Sequence, residues 1–176
     1  MQKKEEFITI YESHKDLVYN VCLNYLQNKE EAEEVFQDVF LKVHAKLNDF
    51  NQQSSYKTWI YRICINKCID YLRAKNRKKR FAFLQSLSNS KLEIHSNFSH
   101  PGVLMEDKES MRILFRHINS LPEKQKTAIV LKSIEGLSQK EIAQILSTTE
   151  KAVESLLSRA RKKLKEKIES SKDDKE

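Results

Sequence analysis

Apolar residues recur at three and four along most of this chain, the spacing of one helix face, and rarely at two, the spacing of a half-buried strand. Over residues 7–26, Phe7, Ile10, Tyr11, His14, Leu17, Val18, Val21, Cys22, Tyr25 and Leu26 share one helical face. A second stripe, Ala32, Val35, Phe36, Val39, Phe40, Val43 and Leu47, predicts a helix over residues 29–47. The run NDFNQQSS breaks the period. A third helix opens near Ser55 and continues through Ile60, Ile63, Cys64, Ile69 and Leu72. Three such helices can bury one shared core, which predicts a first domain over residues 1–80.

Residues 85–102, QSLSNSKLEIHSNFSHPG, lose the periodicity, are rich in Ser and Asn and end in Pro101-Gly102. That composition predicts a flexible connection within residues 81–108. A second domain of four helical segments follows over 109–170, and the tail at 171–176 reads as disordered. Three S-x-x-E runs punctuate this half: SLPE at 120–123, SQKE at 138–141 and STTE at 147–150. Each has the form of a capping box and so predicts a helix start, with Ser120, Ser138 and Ser147 as the caps. The last two bracket a short helix at 139–146. A longer one follows at 150–168, striped by Val153, Leu157, Ala160, Leu164 and Ile168. With only 2 Gly and 2 Pro to serve hairpins, the fold class is all-α: two small helical domains joined by a flexible linker.

Charge adds a second layer to this picture. The net charge is +7, but its distribution says more than its size. Residues 30–38, EEAEEVFQD, are acidic, whereas YLRAKNRKKR at 71–80 and RARKKLKEK at 159–167 are basic. Two basic segments and one acidic helix suggest two kinds of partner. The N-terminus is polar and lacks the apolar core of a signal peptide, and no stretch approaches the roughly 20 apolar residues of a membrane span. A cytoplasmic location is expected. Cys22, Cys64 and Cys68 lie within apolar-periodic segments and read as buried thiols; no Cys or His follows at metal-ligand spacing. No glycine-rich phosphate loop, H-E-x-x-H run or other catalytic constellation is visible, so neither an enzyme, a cofactor nor a small-molecule substrate is expected.

Short helix, tight turn and longer helix is the arrangement of a helix-turn-helix, whose second helix offers its first side chains to base edges. Here those are Glu150, Lys151, Glu154, Ser155, Ser158 and Arg159, with Arg161, Lys162 and Lys163 placed for phosphates. A helical bundle with a solvated basic end has the same pattern. Glu30, Glu34 and Asp38 follow one another at i+4, which suits either a solvated face or a basic protein partner. The stretch SYKTWIYRICINKCIDYLRAKNRKKR, at 55–80, mixes aromatics with cations. It reads equally as a core helix or as a nucleic-acid surface that stacks bases and tracks the backbone.

The order AEEVFQDVFLKVHAKL, TWIYRICINKCIDYLR, a polar linker, LPEKQKTAIVLKSIEGLSQKEIAQIL and VESLLSRARKKL resembles the extracytoplasmic-function sigma factors of bacterial RNA polymerase. The resemblance covers residues 10–168, and its N-terminal half is the specific part. It implies that Glu34, Gln37 and Asp38 lie in the surface that docks on the core enzyme. It implies that residues 50–66 capture the minus-ten promoter box. There the loop Phe50, Asn51, Gln52, Gln53, Ser54, Ser55 and Tyr56 would hold a flipped base, and Trp59, Tyr61, Arg62 and Asn66 would lie in the melting helix. Lys67 and Arg73 would follow the DNA backbone. The second domain would read the minus-thirty-five box with Glu150, Lys151, Glu154, Ser155, Ser158, Arg159 and Lys162. An inhibitory anti-sigma protein is a further expected partner, beside core polymerase and promoter DNA. The chain departs from the family's usual pattern at Ser147, where Gly is common, and at Glu154 and Leu156, where basic residues are common.

Overall fold

In the computed structural model, α1 (Gln2–Leu26), α2 (Lys29–Lys46) and α3 (Tyr56–Ser86) make a first unit. The second contains α4 (Lys108–Asn119), α5 (Glu123–Ile129), α6 (Gln139–Ile145) and α7 (Glu150–Asp173). The structure describes residues 2–51, 53–86 and 108–173. Among the described residues there is no strand.

The first unit is built as the periodicity requires. Val18, Val21, Cys22 and Tyr25 of α1 meet Ala32, Val35, Val39 and Val43 of α2, and Ile60, Cys64, Ile65 and Cys68 of α3, all at most 2% exposed. An aromatic layer lies between α1 and α2: Tyr11 meets Phe40 edge-on at 4.7 Å, and Phe36 meets Phe40 at 5.1 Å. Such tilted pairs add about 0.5–1.5 kcal/mol each beyond their buried area. The turn between α1 and α2 is short because Gln27 takes a left-handed conformation, φ 56°, and Asn28 at once caps α2 by accepting from the Glu31 amide. A 3-10 turn at Leu47–Asp49 then ends α2.

Helix α3 runs to Ser86, into the segment expected to be linker from 81 onward. The run AKNRKKRFAFLQS holds no Gly or Pro, and its Lys, Arg, Ala and Leu are good helix formers, so nothing local stops it. Most of the expected linker lies outside the described residues.

In the second unit, α7 packs Val153, Leu157 and Ala160 against α5 and α6, contributing to a core with Ala128, Val130, Leu131 and Ile142. Of its expected stripe, Leu164 is half-buried and Ile168 is exposed, because α7 projects past its neighbours as far as Asp173. The expected disordered tail is therefore helical over 171–173, and 174–176 lie outside the described residues.

Of the three capping boxes, one forms as expected. Ser138 Oγ accepts from the Glu141 amide at 3.2 Å, and Glu141 accepts from the Ser138 amide at 2.8 Å. Ser120 instead donates to the His117 carbonyl at the exit of α4, and α5 starts behind Pro122 with no side-chain cap. The Pro122 carbonyl takes the Gln125 and Lys126 amides in its place. Ser147 does not cap α7 either; Thr149 does, accepting from the Ala152 amide at 3.2 Å. Ser147 closes α6 in a Schellman turn, with φ 51°, the Thr148 amide bonded to Ala143 O and its own to Gln144 O. A left-handed residue is needed there, which is why glycine would suit the place.

Candidate nucleic-acid interface

Two stripes face each other across α2 and α3. These helices run antiparallel, so Asp38, Glu34 and Glu31 of α2 come beside Lys67, Tyr71 and Lys75 of α3, each set stepping by three or four residues. Lys67 Nζ stands 2.9 Å from Asp38 Oδ2, and Lys75 pairs with Glu31. Burial, together with the charges of Glu31 and Glu34, pushes the Tyr71 hydroxyl up to about 12. The acidic stripe is therefore partly matched from within the chain. A residue expected to dock on a protein, Asp38, is bonded to one expected to follow DNA, Lys67. Glu34 and Gln37 are exposed alongside.

The loop before α3 is organised by rings. Phe50 stacks on Tyr56 with centroids 4.3 Å apart and meets Trp59 at 5.1 Å, so the three form one cluster over the start of the helix. Tyr56 also donates to Glu6 Oε1 at 2.6 Å, a bond that raises its hydroxyl's pKa and ties α3 to α1. Ser55 caps α3 by accepting from the Thr58 amide at 3.1 Å. Asn51 Oδ1 accepts from the Gln53 amide at 3.4 Å; Asn51 and Gln53 are exposed and Ser54 is half-buried. Gln52 lies outside the described residues. The loop thus presents amide side chains beside an aromatic wall, the chemistry that holds an unstacked base.

Downstream, the helix divides its faces. Trp59 and Arg62 are half-buried, while Asn66 and Arg73 are exposed, Arg73 lying 3.9 Å from Asp70. Tyr61 departs from the expectation. It is 4% exposed and shares the inward face with Cys64, Ile65 and Cys68 at i+3, i+4 and i+7, so it packs the core and offers no stacking platform. The basic end, expected to track a nucleic-acid backbone, also carries two exposed rings. Arg73, Asn76, Arg77, Lys79 and Arg80 are exposed along the end of α3, and Phe81 and Phe83 beyond them are 65% and 63% exposed. The signal was the run RKKRFAF, in which cations adjoin aromatics with no apolar stripe to bury them.

In the second unit α6, a tight turn at 146–149 and α7 form the helix-turn-helix. Glu150, Lys151, Glu154, Ser155, Ser158, Arg159 and Lys162 are all exposed: Lys151, Ser155, Ser158, Arg159 and Lys162 on the side of α7 away from Val153, Leu157 and Ala160, Glu154 at its flank, and Glu150 at the first residue of the helix. Arg159 Nε donates to the Ser155 carbonyl at 3.1 Å, which tethers its guanidinium to its own helix. The expected reading face is thus a real surface, mixed in charge at its start and cationic from Arg159 onward.

A further cluster joins residues that spacing kept apart. Cys22 of α1 brings its sulfur 3.5 Å from that of Cys64 and 4.0 Å from that of Cys68. All three are buried, as expected, and although no Cys or His follows Cys64 and Cys68 at ligand spacing, packing brings Cys22 to them from another helix.

Helices with no strand among the described residues, a basic, aromatic helix in one unit and an exposed helix-turn-helix in the other have the make-up of a nucleic-acid-binding protein. The chain matches sigma-70 region 2 over residues 10–78 and sigma-70 region 4 over residues 111–164. It is 31% identical over 169 residues to the ECF RNA polymerase sigma factor SigW of Bacillus subtilis, covering 94% of this chain and 90% of that protein. It is likewise 31% identical over 171 residues to the ECF RNA polymerase sigma-E factor of Escherichia coli K12, covering 96% and 88%. Two solved structures share its fold. CnrH, in complex with the cytosolic domain of CnrY, has a TM-score of 0.65 at 21% identity, covering 95% of this chain and 90% of that one. The sigma factor RpoE of Bartonella quintana, in complex with the anti-sigma factor NepR, has a TM-score of 0.64 at 22% identity, covering 94% and 96%. The chain belongs to the extracytoplasmic-function sigma factors, which bind core RNA polymerase and direct it to promoters to initiate transcription.

Proposed function

We propose that residues 1–80 act as region 2 of this sigma factor and residues 109–170 as region 4, each taking its own promoter box. The acidic side of α2, with Glu34, Gln37 and Asp38, docks on core polymerase. The loop at 50–56 and the outer face of α3, with Trp59, Arg62, Asn66, Lys67 and Arg73, take the minus-ten element and hold the opened strand. Tyr61 supports that face from beneath. Unstacking a base costs a few kcal/mol, which the aromatic wall and the cations along α3 offset. The exposed side of α7, from Glu150 to Lys162, reads the minus-thirty-five element, with its later cations on phosphates.

The observation that carries this reading is the pairing of two diagnostic halves in one chain, region 2 at 10–78 and region 4 at 111–164. The protein performs no chemistry of its own in this role; catalysis belongs to the polymerase. Among the described residues no helix is long and apolar enough to cross a membrane, and we place the protein in the cytoplasm, with the polymerase. An anti-sigma protein that covers the docking faces is the expected regulator, a reading supported by the RpoE structure's own partner.

Transcription by bacterial core RNA polymerase on a library of promoter-like fragments, with and without the protein, tests this directly. Start sites that depend on the protein, each preceded by two common boxes, are the expected result. Binding to core enzyme without any new start site, on a library containing the host's own upstream regions, would refute the promoter-selecting role.

A further inference from the structure

The three cysteines lie where a fold needs only small apolar side chains, yet their sulfurs converge. Cys22, Cys64 and Cys68 are each 0% exposed. Their ligand atoms all lie within 4.8 Å of one another, and among the described residues theirs is the single group of three His, Cys, Asp or Glu side chains to converge in this way. Cys64 and Cys68 are one turn apart on α3 and Cys22 reaches them from α1, so the cluster ties two helices of the unit.

Two of the three separations are those of a site. Three sulfurs each roughly 2.3 Å from a common atom lie about 3.5–4.0 Å apart. The distances from Cys22 to Cys64 and to Cys68 are 3.5 and 4.0 Å. The Cys64 and Cys68 sulfurs lie within 4.8 Å of each other, so the third pair would draw together by up to about 1 Å, through side-chain rotation, to match.

Charge then selects the occupant. A net charge in this apolar core is costly, because nothing around it replaces water. Three thiolates leave a charge of −2 on a cuprous ion and −1 on zinc, but none on a trivalent centre. Zinc in a structural site also takes four ligands, and the cluster has three. The pKa of Cys22 is pulled down by its hydrogen bond with Cys64, but the bond from Cys68 and burial outweigh this and hold it well above the ordinary range. That of Cys64 is raised by its bonds with Cys22 and Cys68 and by burial.

We propose that Cys22, Cys64 and Cys68 form a three-thiol site for a soft trivalent metalloid of the arsenite class. Binding exchanges ligands without redox change. Each of the three hydroxyls of As(OH)₃ leaves with one thiol proton as water, three As–S bonds replace three As–O bonds, and the product is neutral. The adduct cross-links α1 to α3 inside the unit that carries the docking and minus-ten surfaces.

The test uses the full reduced chain and sodium arsenite as the probe. Native mass spectrometry should show one arsenic in place of three protons, and X-ray absorption at the arsenic edge should count three sulfurs as nearest neighbours. Cys22→Ala, which keeps the pair on α3, should weaken binding on the order of 100-fold, the advantage of a third linked ligand. The wild-type sulfur count needs no variant, so the proposal remains testable if Cys22→Ala fails to fold. Absence of an adduct, two or fewer sulfurs on the arsenic, or unchanged affinity in a folded Cys22→Ala variant would each overturn the site. Tighter binding of zinc than of arsenite in the same experiment would overturn the choice of a trivalent ion.

Discussion

Asp38 serves two partners under the proposed function: Lys67 of its own chain, and a basic surface on the polymerase. Asp38→Asn and Lys67→Met separate them. The intramolecular pair is short, 2.9 Å, but 53% of the Asp38 side chain and 31% of the Lys67 side chain face solvent. A pair so exposed contributes about 0.2–1 kcal/mol to folding. A carboxylate that becomes buried against a cation at a protein interface is worth more; truncating one side costs roughly 2–5 kcal/mol. The lower end of that range is about 30-fold in Kd. Asp38→Asn is therefore expected to weaken binding to core polymerase about 30-fold while lowering the chain's own stability by no more than about 1 kcal/mol. Lys67→Met removes the same internal pair, so its folding loss should match. It leaves the carboxylate unshared, and affinity for the core enzyme should hold or rise. The assay is fluorescence anisotropy of labelled protein titrated with core polymerase, without DNA and at roughly 0.15 M salt, where surface charges are screened beyond about 8 Å. Urea unfolding of the same variants supplies the folding term. If both variants lose affinity equally, and by no more than their folding loss, the carboxylate serves only the packing of α2 against α3.

Other consequences are open to simpler measurements. Trp59→Ala should reduce formation of the open promoter complex, read by permanganate footprinting, while initial binding to duplex stays within about threefold, since stacking on an unpaired base is gained only on opening; equal loss in both steps would exclude a melting role. Ser138→Ala removes the one capping box that forms, and should lower the stability of the second unit by about 1 kcal/mol in urea unfolding. Gly136 sits at φ +70° with open space around its Cβ position, so Gly136→Ala should cost about 1 kcal/mol through backbone strain alone; no loss would mean that the turn relaxes. Tyr71 is held neutral in the fold up to about 12, against an ordinary value of 10. Its contribution to stability is complete below pH 10 and is lost between about 10 and 12, where the unfolded chain ionises first; Tyr71→Phe should flatten the decline over that interval, as followed by circular dichroism.

Much of the architecture was legible in the residues because helices declare themselves locally. Periodicity at three and four located α1, α2 and the start of α3, and the scarcity of Gly and Pro excluded sheets. The helix-turn-helix was equally readable, since its stripe of Val153, Leu157 and Ala160 leaves Lys151, Ser155 and Arg159 no place but the surface. Capping was less so. The S-x-x-E pattern records which side chains could bond, and the neighbouring backbone decides which do: a proline reassigned Ser120, and a left-handed turn reassigned Ser147.

What tertiary structure decided depends on distances between helices, and no local period encodes those. Whether Tyr61 faced DNA or the core turned on which side of α3 met α1 and α2, and packing put it beside Cys64 and Ile65. The acidic stripe of α2 gave no sign that α3 would lay Lys67, Tyr71 and Lys75 along it. Cys22 lies 42 residues from Cys64 in the chain and 3.5 Å from it in space. A stripe states that a residue is buried; only the packed neighbours determine what it is buried against, and that is where charge pairs and thiol clusters arise.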